Sequence, residues 1–229
     1  MADLLAALRR LWHRHSWSLP LSIGSAICFA RLASEMREGD MDSLDRAIEH
    51  AVDGWRGSAD RTMLGFTEVG DILTMGLVTA VSLAALVAKG RRREGRYLFV
   101  GACGALAFNV LLKAAFQRAR PGADLLYLLP TPTSLSFPSG HTMGTTGVIG
   151  CLVVVVHVLR APPIVRWGAT VAGAAVISGV GLSRIYLGAH YPSDVVGGLL
   201  AAAAWVSALT GWMYPRLLPG ESAPPARPG

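Results

Sequence analysis

The sequence predicts an all-α polytopic membrane protein: six transmembrane helices, with an amphipathic helix on the outer surface. Three observations carry this prediction. The 229 residues are 52% hydrophobic and only 16% charged, whereas about a quarter of a soluble domain is charged. Six apolar stretches, 17–33, 66–88, 97–117, 140–159, 164–183 and 193–213, approach or exceed the roughly 20 residues that a spanning helix needs. The basic residues between these stretches sort to one side.

The elements follow in chain order. Arg9, Arg10 and Arg14 precede the first stretch. That stretch reads as a retained span rather than a signal peptide, because "CFARLA" is a poor cleavage site. The loop 34–65 carries eight acidic residues. Leu44, Ile48, Val52 and Trp55 recur in it at helical spacing, which predicts an amphipathic helix on the membrane surface. Its role is either a lid on the bundle ends or a substrate-entry element. After the second span, "KGRRREGR" supplies five basic residues. "RAPPIVR" adds Arg160 and Arg166 between the fourth and fifth spans, and the tail adds Arg216 and Arg227. These twelve basic residues mark the cytoplasmic side. Both termini are then inside, and the loops 34–65, 118–139 and 184–192 face out. Residues 1–218 form one membrane domain, and 219–229 read as a disordered tail.

The net charge of +6 does not point to nucleic acid, because the charges flank spans. The partner they point to is the bilayer. Cys28, Cys103 and Cys151 all lie in apolar stretches and read as small hydrophobes. Mean hydropathy of +0.43 agrees with the membrane assignment. Few lysines among many Arg, Ala and Gly suggest a GC-rich bacterial genome, hence a bacterial inner membrane.

Polar residues at membrane depth are costly and are functional candidates. Three clusters fall at the outer ends of spans. In "KAAFQRARP", Lys113 and Arg120 are seven residues apart and would share one helix face, with Pro121 ending the span. Asn109 lies one turn below Lys113, and Arg118 is expected to snorkel to the interface. In "PSGH", Ser139 suits an N-cap, Gly140 lets a ligand approach the backbone, and the first-turn N–H groups favour an anion beside His141. Taken alone, that tetrapeptide is an ordinary capped helix. In "SRIYLGAHYPSD", Arg184 and His190 lie in the outer loop, and Pro192 suits the first turn of the last helix. Asp194 falls in that turn, close enough to bond the His190 ring and fix its tautomer. Three cations, a helix N-terminus, two histidines and a carboxylate suit a tetrahedral oxyanion. Without a carboxylate cluster, neither metal nor cofactor is expected.

These stretches resemble the signature of the type 2 phosphatidic acid phosphatase superfamily of membrane lipid phosphatases: K-x-x-x-x-x-x-R-P, P-S-G-H and S-R-x-x-x-x-x-H-x-x-x-D. Here they run from Lys113 to Pro121, Pro138 to His141 and Ser183 to Asp194, with every fixed position matched. The resemblance implies that His190 attacks phosphorus and becomes a phosphohistidine, oriented by Asp194. It implies that His141 protonates the leaving oxygen. Lys113, Arg120, Arg184, Ser139 and the Gly140 backbone would hold the phosphoryl oxygens. It also suggests undecaprenyl diphosphate, phosphatidylglycerophosphate or phosphatidic acid as substrate, the first ranked slightly ahead. A lipid phosphotransferase using the same residues, and a non-catalytic lipid-phosphate binder or transporter, are the alternatives. The sequence leaves the oligomeric state open.

Overall fold

The computed structural model describes residues 17–122, 125–130 and 133–217, with side chains to Met213. The expected tail 219–229 and the first arginine cluster lie outside the described residues. Eight α-helices account for the regular structure among the described residues: α1 Ser18–Glu38, α2 Asp42–Asp53, α3 Asp60–Val69, α4 Ile72–Ala88, α5 Arg92–Phe116, α6 Gly140–Val158, α7 Pro163–Tyr186 and α8 Pro192–Leu217.

The α6 helix sits at the centre and packs on α4, α5, α7 and α8, while α1 lies along α8. Its Met143, Val148, Cys151 and Val155 are buried, and the last two join Tyr97, Leu98 and Leu209 in one core cluster. The outside of the bundle is apolar: Leu73, Leu77, Leu111, Ile164 and Val171 are each more than 60% exposed. Each would forgo about 1.5–3 kcal/mol by facing water, so that surface fits lipid.

The six expected spans are matched in part. Among the described residues, four helices are long and apolar enough to cross a membrane: α5, α6, α7 and α8 as far as Met213. A fifth arises if the bent pair α3 and α4 is one span. The first stretch does form a helix, but Arg31, Glu35 and Arg37 sit within it, and it falls outside that group. The second stretch is not continuous. Its two helices meet at 52°, because Asp71 turns extended and its side chain caps the Leu73 N–H of α4. Gly70 faces α7 so closely that a Cβ would lie 2.4 Å from Val180.

The segment predicted as a surface amphipathic helix forms the helix α2, whose apolar residues rest on protein. Val52 and Ile48 pack with Met63, Tyr186 and Leu187, whereas Leu44 and Trp55 remain exposed. The third span ends earlier than expected. Gln117 takes a left-handed conformation and donates its N–H to the Lys113 carbonyl. Lys113 and Arg120 therefore do not share a helix face, and the chain turns back between them. The fifth span runs longer, so Arg184 belongs to the last turn of α7 and not to a loop.

Candidate active site

The site forms where the N-termini of α6 and α8 meet the C-terminal ends of α5 and α7. Ser139 caps α6, its hydroxyl accepting from the Thr142 N–H, while its own N–H donates to the Asp194 carbonyl at 2.9 Å. The cap and the first turn of α8 are thereby tied together. Asn109, buried on α5, donates to the Pro138 carbonyl at 3.2 Å. Gly140 follows with Asn109 Oδ1 3.2 Å from where a Cβ would stand. Between α7 and α8 the chain turns at Gly188, with φ +66° and the Leu125 carbonyl occupying the space of any side chain. This turn brings His190 back beneath Arg184, whose carbonyl accepts the His190 N–H at 3.2 Å.

His190 is 1% exposed. Its Nδ1 lies 3.4 Å from both Asp194 Oδ2 and Ser136 Oγ. Its Nε2 lies 3.1 Å from Arg120 Nη1. A guanidinium only donates, so Nε2 accepts and Nδ1 carries the proton toward Asp194. Burial holds His190 well below the ordinary imidazole range; Asp194 opposes that, and Arg120 and Arg184 reinforce it. The ring is therefore neutral near neutral pH, with a lone pair on Nε2.

The cations converge. Arg120 also donates to the Ser134 carbonyl at 2.7 Å, the Ser134 hydroxyl at 2.8 Å and the Ala189 carbonyl at 2.6 Å. Burial lowers its pKa, though not enough to discharge it. Lys113 donates to the Leu135 carbonyl. Arg184 donates through Nη1 to Thr67 of α3, and its buried Nε has no hydrogen-bond partner. Lys113, Arg120, Gly140, His141 and His190 line one cavity of about 530 Å³. The cavity continues along an apolar seam of α4 and α5 that includes Met75, Leu83, Phe99 and Leu106. Among the described residues, no group of three His, Cys, Asp or Glu side chains is arranged to hold a metal.

The structure thus gathers Lys113, Arg120, His141, Arg184, His190 and Asp194 with the Ser139 cap. Other members were not read from the sequence. Arg118, expected at the interface, is 13% exposed and bridges Asp194 Oδ1 at 2.8 Å and Asp45 Oδ2 at 2.9 Å. Burial opposes its charge, but Asp194 and Asp45 outweigh that and raise its pKa. Asp45 reaches in from α2, 148 residues from the Ser193 N–H that it accepts. Ser136 donates to Asp194 Oδ2. No local pattern marks Asp45, Ser136 or Thr67, whose partners are all distant in sequence. Arg118 lies between the motif residues Lys113 and Arg120, and that place is the local signal for it.

A decaprenylphosphoryl-5-phosphoribose phosphatase of Mycolicibacterium smegmatis is 34% identical over 124 residues, 54% of this chain and 62% of that one. An undecaprenyl-diphosphatase of Sulfolobus acidocaldarius is 31% identical over 134 residues, 57% of this chain and 60% of that one. The aligned part of the chain thus spans about three fifths of the length of either relative. The crystal structure of a transmembrane PAP2-type phosphatidylglycerolphosphate phosphatase from Bacillus subtilis superposes with a TM-score of 0.77. It has 22% identity and covers 89% of this chain and 100% of that one, a likeness of fold. Residues 94–217, which hold all three polar clusters, match the PAP2 superfamily, and the chain belongs to that superfamily.

Proposed function

We propose that this protein is a membrane lipid phosphatase, removing a terminal phosphate from a lipid phosphate or diphosphate through a phosphohistidine. The observation that carries the reading is the shared cavity. One end holds Lys113, Arg120, His141 and His190, and the other is apolar and set between two membrane helices. A charged head and an aliphatic chain on one molecule match those two ends.

In the proposed reaction, Arg120 moves its donor from His190 Nε2 to a phosphoryl oxygen. The freed lone pair attacks phosphorus in line, forming an N–P bond as the bond to the leaving oxygen breaks. His141 gives that oxygen a proton. Water then attacks the phosphohistidine and passes its proton to His141, the N–P bond breaks, and phosphate leaves. Asp194 keeps the Nδ1 proton oriented in both steps. Lys113, Arg120, Arg184, the Ser139 cap and the Gly140 N–H stabilise the equatorial oxygens, the main requirement of phosphoryl transfer. No metal is required by this scheme.

Two of the proteins named above act, by their names, on polyprenyl-linked phosphates, and the third on phosphatidylglycerolphosphate. Undecaprenyl diphosphate therefore stays first among the substrates considered, with phosphatidylglycerophosphate and phosphatidic acid behind it. The proposed setting is a bacterial inner membrane, with one domain over residues 1–218, α1 as a further span, both termini inside and the site outside. Phosphate release by the purified chain in detergent, across a panel of lipid phosphates and diphosphates, tests the reading. Binding without release overturns it in favour of a binder, and labelled phosphate appearing on an added acceptor makes it a transferase.

A further inference from the structure

We infer that Arg118 and Asp45 are positioning residues: Asp45 on α2 fixes the Arg118 guanidinium, and Arg118 fixes the carboxylate of Asp194 behind His190. The inference rests on the proposed roles of His190 and Asp194.

The geometry is a chain of four side chains. Asp194 Oδ2 serves His190 Nδ1, the Ser136 hydroxyl and the Tyr191 N–H. A carboxylate torsion is broad when one oxygen is unheld, and Oδ1 is held by Arg118 Nη1 at 2.8 Å. Arg118 is itself immobilised. Its Nη2 donates to Asp45 at 2.9 Å, its Nη1 donates to Ser193 Oγ at 2.7 Å, and its guanidinium lies 4.2 Å from the centre of the Tyr191 ring. Arginine keeps its charge throughout, so the compensation of Asp194 does not vary through a catalytic cycle.

Asp45 does two things at once. It is 2% exposed, and it accepts the Ser193 N–H at 2.9 Å and the Ser193 hydroxyl at 2.5 Å. Those donors belong to the first turn of α8, the turn that carries Asp194. A carboxylate from α2 therefore caps that turn and anchors the arginine that orients its functional side chain. Neither Arg118 nor Asp45 lines the cavity. Their loss should slow turnover without weakening substrate binding, which separates them from Lys113 and Arg120.

The test is a double-mutant cycle on the full chain in detergent, reading kcat and KM for phosphate release from a synthetic phosphatidic acid, with thermal midpoints alongside. Arg118→Met should lower kcat about 10–100-fold, by analogy with losing a partner that orients a metal-ligating side chain, with KM nearly unchanged. Arg118→Lys should recover part of the loss. In an Asp194→Asn background, Arg118→Met should cost nothing more, because both changes remove one interaction. If Arg118→Met does not fold, Asp45→Asn takes its place in the cycle, since it retains an oxygen for the Ser193 N–H and replaces the oxygen that accepts from Arg118 with an amide group that only donates. Additive losses, or a rise in KM at constant kcat, overturn the positioning role alone. Near-normal turnover by Asp194→Asn overturns the assignment beneath it and the positioning role together.

Discussion

Arg120 Nη1 stands 3.1 Å from His190 Nε2, so a permanent cation donates to the nitrogen lone pair that the proposed reaction uses. The same contact that selects the reactive tautomer also occupies it. Entry of a phosphoryl group must exchange one acceptor for another at Arg120, and the exchange favours the anion because the guanidinium then faces an opposite charge instead of a neutral ring nitrogen.

His190→Ala is expected to abolish phosphate release, by several orders of magnitude, while the protein still folds and still binds lipid phosphate through Lys113, Arg120 and Arg184. Rapid-quench labelling with radioactive substrate checks the route. Wild type should trap acid-labile, alkali-stable label on the protein, and the variant none. A variant with near-normal turnover would remove His190 from the chemistry.

Metal chelation should leave activity intact, and vanadate should inhibit, since it mimics five-coordinate phosphorus. The expectation rests on the cations and the helix N-terminus, which already supply the charge that a divalent ion would bring. Activity that vanishes with EDTA and returns with magnesium would contradict it.

Glu49 on α2 offers a pH prediction. Burial first, then the Asp45 carboxylate, raise its pKa from 4.5 to about 7, and its Oε1 is buried without a partner. The folded protein then holds this proton more tightly than the unfolded chain. The associated stability is fully present below pH 4.5 and is lost as pH rises through about 7. Glu49→Gln cannot ionise, so its Tm should match wild type in acid and exceed it at about pH 8. Parallel Tm curves across that interval, by fluorimetry in detergent, would show that Glu49 ionises normally.

Orientation is testable by labelling intact cells with an impermeant maleimide after Cys28, Cys103 and Cys151 are replaced. Ser58 and Arg92 are both exposed, on opposite sides of the α3–α4 pair in sequence. A cysteine at Ser58 should label directly and one at Arg92 only after lysis, as the basic run from Lys89 to Arg96 implies. The reverse pattern would put the site on the cytoplasmic face.

The parts of this protein legible from sequence are those determined over a few residues. Ser139 as an N-cap, Pro192 at the start of α8 and Asp194 one turn after His190 follow from local rules. The break at Asp71 was also local, an N-cap residue before an apolar run, but the long hydrophobic stretch around it masked the signal. Asp45 and Arg118 are different. Their pairing depends on how α2 folds back over the bundle, and an acidic residue on an acidic loop carries no mark of the partner it will meet. Charge near a membrane end implies snorkelling by default, because composition alone does not distinguish a solvated arginine from one bridging two buried carboxylates.

The seam between α4 and α5 has a kinetic consequence. Phe99 and Leu106 line the cavity and are about half exposed, so the apolar end of the cavity is open, and under the proposed function it opens toward lipid. A substrate that slides in sideways never leaves the plane of the bilayer. Its encounter with the protein is a two-dimensional search, governed by mole fraction in the membrane and not by bulk concentration. Diluting the substrate with inert detergent or lipid at constant total amount should therefore slow the reaction, as in surface-dilution kinetics, while adding more vesicles of the same composition should not hasten it once every protein molecule is embedded.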